Sequence, residues 1–218
     1  MSSWYDIYKK EIDSKGTIMD YVYDKVKYKK TFTNLIKKYS PNKEIIEAGC
    51  GTGVVSTYMA SLGYSTTAVD IDKDILNLAK EISKKYNAKN KPTFLQMSIL
   101  DLEFEKEKFD VSFSNGVVEH FNDKEIIKIL KEQMEIASTV IVGIPTRYFD
   151  QEEAMYGDER YLKFKYWRQL ISEAGGKIVE EKSYHFASIW EQVLEVKKYF
   201  RPKPFKVFVI VANESQNN

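Results

Sequence analysis

Cysteine is nearly absent from this chain: Cys50 is the only one among 218 residues. A single thiol excludes an internal disulfide framework and any multi-cysteine metal site. Two histidines, His120 and His185, are too few for a histidine-rich metal site. Five prolines and ten glycines exclude collagen-like and low-complexity classes. No run of 18 apolar residues occurs, so no segment reads as membrane-spanning. The opening MSSWYDIYKKEIDSKG is too polar for a secretory leader, which makes a reducing cytoplasm the expected setting. No sign of charge dominates either. The 33 basic and 32 acidic residues leave +1, which argues against a nucleic-acid partner or an anionic membrane.

What the chain does have is a core's worth of apolar residues, 43%, dealt out in short runs. A chain of this size buries about 70% of its unfolded surface, enough for a core without covalent staples. Residues 1–40 are rich in aromatics and lysine, and apolar residues from Ile18 to Ile36 recur at helical spacing. Ser40, Pro41 and Asn42 punctuate that segment, which predicts one helix over 17–38. Strands are then predicted at 44–48, 66–69, 93–97, 109–114, 139–144, 177–185 and 205–212. Helices between them are predicted at 54–62, 73–86, 123–137, 162–174 and 188–200. Alternating strands and helices, with early strands that are unbroken apolar runs, predict an α/β doubly wound sheet with helices on both faces. The lysine pairs alternate with acids along helices and read as solvated faces.

The chemistry concentrates in EIIEAGCGTGVVS, Glu44 to Ser56. A strand runs into Gly49, Gly51 and Gly53, and a helix follows. Glycines there let the chain turn sharply and let a ligand approach bare backbone beside exposed helix amides. Dinucleotide binding asks for G-x-G-x-x-G, and Val54 stands where its last glycine belongs. The second strand ends at Asp70, where a carboxylate can accept hydrogen bonds from a ribose diol. Cys50, inside the loop, is read as a small structural side chain.

With E-x-G-x-G-x-G at Glu47–Gly53, VDID at the second strand, FDVSFSNGVVEHF after the third and SEAGG before a late strand, the chain resembles the class I S-adenosylmethionine-dependent methyltransferases. The resemblance implies seven mostly parallel strands in the order 3-2-1-4-5-7-6, with the last antiparallel. It also implies a helical lid or cap over 1–40, a cofactor-binding domain over 41–212 and a flexible tail over 213–218. S-adenosylmethionine would be the cofactor and S-adenosylhomocysteine the product. Glu47 and the loop glycines would line its methionine end, Asp70 would hold the ribose, and Ile71 would pack on adenine. Many relatives place an aspartate after the third strand for the adenine amino group; this chain has Ser98, with the Ile99 amide beside it. Asn115 would lie near the amino-acid part of the cofactor.

His120 is the candidate general base, since imidazole ordinarily titrates near neutrality. The alternative is a structural histidine, held by Glu119 or a backbone carbonyl. Methyl transfer rests mainly on alignment, so a base is optional. Acceptor-pocket candidates are Tyr5, Tyr8, Arg147, Tyr148, Tyr156 and Trp190, aromatics with a few polar groups of the kind that line small-molecule sites. The expected activity is methyl transfer to an oxygen or nitrogen of a small molecule. Rivals are an RNA or protein methyltransferase, a module that binds the cofactor without catalysis, and a nicotinamide dehydrogenase. The residues name neither the acceptor nor an oligomeric state.

Overall fold

The computed structural model describes residues 3–86, 90–146, 158–184 and 205–213. Seven strands form one sheet: β1 (Glu44–Ala48), β2 (Ser65–Asp70), β3 (Thr93–Gln96), β4 (Phe109–Asn115), β5 (Ala137–Pro145), β6 (Gly176–Tyr184) and β7 (Phe205–Ala212). Their order is β3-β2-β1-β4-β5-β7-β6. The first five run parallel, while β7 pairs antiparallel with both β5 and β6. This is the order that the resemblance implies.

Helices α4 (Val54–Ser61), α5 (Lys73–Tyr86), α6 (Asp123–Ile136) and α7 (Phe164–Glu173) fall within a residue or two of the sequence expectation. Local chemistry explains their starts. Asp72 accepts from the amides of Asp74 and Ile75 ahead of α5, and Asn122 and Glu125 form a capping box on α6. The sheet core lies in two layers. Ile46, Ile126, Leu130, Trp167 and Phe208 pack on one side, and Phe32, Ile36, Ile45, Met59 and Phe113 on the other. Among the described residues, no helix is long and apolar enough to cross a membrane.

The N-terminal region departs from the expected single helix over 17–38. It comprises α1 (Trp4–Asp13), α2 (Ile18–Tyr28) and α3 (Lys30–Tyr39). The apolar spacing continues across residue 29, but the backbone does not: Lys29 has φ −91 and ψ 15 and caps two helices at once. Tyr21 and Val22 pack with Val54 and Leu78, while Phe32, Leu35 and Ile36 cover the sheet. The two buried faces require different axes, and the break supplies them. The helix expected at 188–200 lies outside the described residues.

Candidate active site

The loop between β1 and α4 is held by backbone donors and one carboxylate. The amides of Gly49 and Cys50 both donate to the carbonyl of Val69 at 2.9 Å, joining the loop to the end of β2. The Gly51 amide donates to Asp70 Oδ2 at 2.9 Å. Gly51 and Gly53 have φ of +51 and +62, the left-handed region that favours glycine. A Cβ on Gly51 would sit 2.8 Å from the Tyr8 hydroxyl, and one on Gly53 would sit 2.7 Å from the Phe94 ring. These positions are closed to side chains by neighbours as well as by backbone conformation.

Glu47, at the end of β1, is buried, and its Oε2 accepts from the Ser56 amide at 3.0 Å and hydroxyl at 2.6 Å. It thereby serves the first turn of α4, where a negative group meets the helix dipole. Burial pushes its carboxyl up to about 7, opposed by nearby Lys29 and the Ser56 bonds. Lys29 projects from the break between α2 and α3. Part of the residue reaches solvent, but its ammonium end is densely surrounded, and burial pulls it down to about 8 against the attraction of Glu47 and Glu119. It closes no salt bridge among the described residues.

Asp70 is half-buried, and burial raises its carboxyl above the ordinary range. Its Oδ1 accepts from the Asp72 amide at 3.1 Å. Backbone donors from Gly51, Asp72 and Ile71 leave the carboxylate about one of its four lone-pair directions for a further donor. Ile71, beside it, is 69% exposed, an apolar surface at the sheet edge. Ser98 accepts from the Leu100 amide at 3.2 Å, and Ile99 is buried.

The end of β4 supplies the other wall. Asn115 Oδ1 accepts from the Tyr184 hydroxyl at 3.3 Å, and its side chain lies against Gly143, where a Cβ would collide with it. A short 3-10 turn, Val118–His120, follows Gly116. His120 Nδ1 pairs with Asp158 Oδ1 at 2.5 Å, and its ring meets Trp4 edge-on at 5.5 Å. Its partner is thus Asp158, not Glu119. Glu119 is 2% exposed, and its Oε2 has no hydrogen-bond partner among the described residues. Burial pushes its carboxyl up to about 8, helped by Glu159 and Asp158. The sequence offered Glu119 only as a possible partner of His120, and Lys29 only as one of a lysine pair read as a solvated face, whereas its ammonium end is densely surrounded. An acid after an apolar pair at a strand exit was the available signal for the first; nothing local marked the second.

Helix α1 crosses this mouth. Trp4 stacks on Tyr8 at 5.6 Å between centroids, so one helix touches His120 and the glycine loop together. Tyr8 therefore sits on the glycine-loop side. Tyr5 turns toward α5 and lines a cavity of about 250 Å³ with Asp74, Asn77, Leu78 and Glu81. Arg147, Tyr148, Tyr156 and Trp190 lie outside the described residues. Arg160 bonds the Phe121 carbonyl at 2.6 Å and Asp123 at 2.7 Å, joining its segment to the start of α6.

S-adenosylmethionine presents a ribose diol, an adenine, a carboxylate and a sulfonium, and the residues present fit that set. Asp70 has acceptor capacity left for the diol, Ile71 offers an apolar face, and Lys29 is a partly exposed cation with no salt bridge among the described residues. Among the described residues, no group of three or more His, Cys, Asp or Glu side chains is placed to hold a metal.

Comparison with known proteins agrees with this geometry. Residues 45–138 match the family model described as a methyltransferase domain. A ubiquinone biosynthesis O-methyltransferase from Pelagibacter ubique is 34% identical over 96 residues, 42% of this chain and 39% of that protein. A ribosomal protein L11 methyltransferase from Campylobacter lari is 28% identical over 146 residues, 66% of this chain and 50% of that protein. The chain thus spans half or less of the length of these curated relatives. Magnesium protoporphyrin IX methyltransferase from Synechocystis PCC 6803, solved with bound S-adenosylhomocysteine, superposes with a TM-score of 0.64 at 15% identity. That likeness covers 89% of this chain and 85% of the other and establishes the shared fold.

Proposed function

We infer that the chain, whose residues 45–138 match a methyltransferase domain, is a class I, S-adenosylmethionine-dependent enzyme that transfers a methyl group to an oxygen or nitrogen of a small-molecule acceptor. The observation that carries the small-molecule reading is α1. Contacts from Trp4 to His120 and from Tyr8 to Gly51 draw one helix across the mouth of the site, which suits a compact acceptor better than a polymer.

The bound cofactor supplies a methyl group already activated on a sulfonium. What remains for the protein is to align the nucleophile and exclude water. Asp70 would receive the ribose hydroxyls, and Lys29 would supply a positive charge for the cofactor's carboxylate. Asn115, oriented by Tyr184 and given room by Gly143, would border the amino-acid end. His120, held by Asp158 through Nδ1, keeps Nε2 for a proton of the acceptor.

The test has two stages. Calorimetric titration with S-adenosylhomocysteine, with NAD as control, checks the cofactor. Transfer of labelled methyl groups to small molecules, ribosomal protein or RNA then sorts the acceptor classes. Label appearing only in protein or RNA contradicts the small-molecule reading.

A further inference from the structure

The exit of β4 holds a buried acid that the cofactor contacts leave unused. Glu119 is 2% exposed, yet its Oε2 has no hydrogen-bond partner among the described residues. Burying a polar atom unpaired costs about 1–3 kcal/mol, more when it is charged. Backbone amides of Glu119 and Val117 offset part of the carboxyl's burial, but among the described residues none pairs with that oxygen, so the atom's partner is to be sought in a ligand.

Its position points to the acceptor. The other carboxyl oxygen lies 3.8 Å from where a Cβ of Gly116 would stand, just past the end of β4, where the methyltransferase reading would set the methionine part of the cofactor. Lys29 feels the charges of both Glu119 and Glu47, which puts the three groups in one electrostatic neighbourhood. Tyr184 and Tyr161 feel its charge, Asp158 and Glu159 add negative charge beside it, and His120 follows in sequence. Acids flanked by aromatic rings attract an ammonium group and repel a carboxylate or phosphate.

We propose that Glu119 is the acceptor-binding carboxylate of this site and that the acceptor is a primary amine. The proposal rests on the methyltransferase reading above and narrows its acceptor to nitrogen. An amine arrives mostly as ammonium at neutral pH, with no lone pair to attack. Ionised Glu119 accepts one N–H hydrogen: that N–H bond breaks, its electron pair stays on nitrogen, and an O–H bond forms on the carboxyl. The freed lone pair is the one methyl transfer consumes, and the proton later leaves Glu119 for water. A carboxyl raised by burial is suited to this, because it holds a proton near neutrality.

The experiment uses full-length protein containing glutamate labelled with 13C at the side-chain carboxyl, saturated with S-adenosylhomocysteine. Phenethylamine, tyramine and ethanolamine are the probes, and 2-phenylethanol is the hydroxyl control. The Glu119 signal, assigned with Glu119→Gln, is expected to titrate lower by about one pH unit or more with an amine and not with the alcohol. Glu119→Gln is expected to weaken amine binding about tenfold or more while S-adenosylhomocysteine still binds. Overturning results are a Glu119 titration that no amine moves, an equal response to the alcohol, or undiminished amine binding by the variant. The titration uses the wild-type chain, so it decides even if the variant folds poorly. Failure of S-adenosylhomocysteine to bind in the first step would instead remove the underlying methyltransferase reading.

Discussion

Glu47 and Glu119 are carboxyls held above their ordinary value of 4.5, at about 7 and about 8, chiefly by burial. An acid raised on folding binds its proton more tightly in the native state. Its contribution to stability is full below the unfolded pKa and is lost as pH rises through the folded one. Lys29, lowered from 10.5 to about 8, acts in the alkaline range: its contribution is present above the unfolded value and is lost as pH falls through the folded one. The melting temperature of cofactor-free protein should therefore fall as pH rises from about 5 to about 8. Glu119→Gln, neutral at every pH, should flatten the upper part of that slope. A melting temperature independent of pH in both proteins would contradict the burial argument. Asp70 gives a second test at this scale. Asp70→Ala removes the acceptor of the Gly51 amide together with the oxygens proposed to receive the ribose. S-adenosylhomocysteine affinity should drop about tenfold or more by calorimetry, with an unchanged circular dichroism spectrum. Wild-type affinity would sink the ribose assignment.

Among the elements, what could be read from the sequence divides by the range of the interactions that fix it. Strands β1 and β7 and helix α5 match their expected bounds to the residue because alternating punctuation and local caps determine them. The break at Lys29 was not legible. Periodicity is continuous from Ile18 to Ile36, and only tertiary packing assigns α2 to α4 and α5, and α3 to the sheet. The same limit applies within the site. The glycine loop and Asp70 are contiguous motifs and could be read directly. The pairing of His120 with Asp158, 38 residues on, could not, nor could the isolation of the Glu119 carboxyl. Helix α1 carries its own prediction. Replacing both Trp4 and Tyr8 with alanine removes its two contacts across the mouth, so S-adenosylhomocysteine should dissociate faster in stopped-flow displacement while the sheet stays folded. An unchanged off-rate would mean that α1 does not cover the site.

For the whole molecule, the sheet order and the β1–α4 loop place the glycine loop, Asp70 and Asn115 at the carboxyl ends of β1, β2 and β4, where open α/β sheets bind ligands. A ligand bound there joins four elements and should stabilise the chain as a unit. At about 100 times its dissociation constant, S-adenosylhomocysteine should add about 2.7 kcal/mol, or about 5–11 °C in melting temperature for a domain of this size. NAD should leave the melting temperature unchanged, because Val54 replaces the glycine that dinucleotide binding requires.

The central claim is that this loop and sheet edge form an S-adenosylmethionine site, and calorimetric titration of the purified chain with S-adenosylhomocysteine, beside an identical titration with NAD, tests it most directly. The account predicts saturable, one-to-one binding of S-adenosylhomocysteine and no heat of binding from NAD. Absence of binding, or preference for NAD, would contradict it.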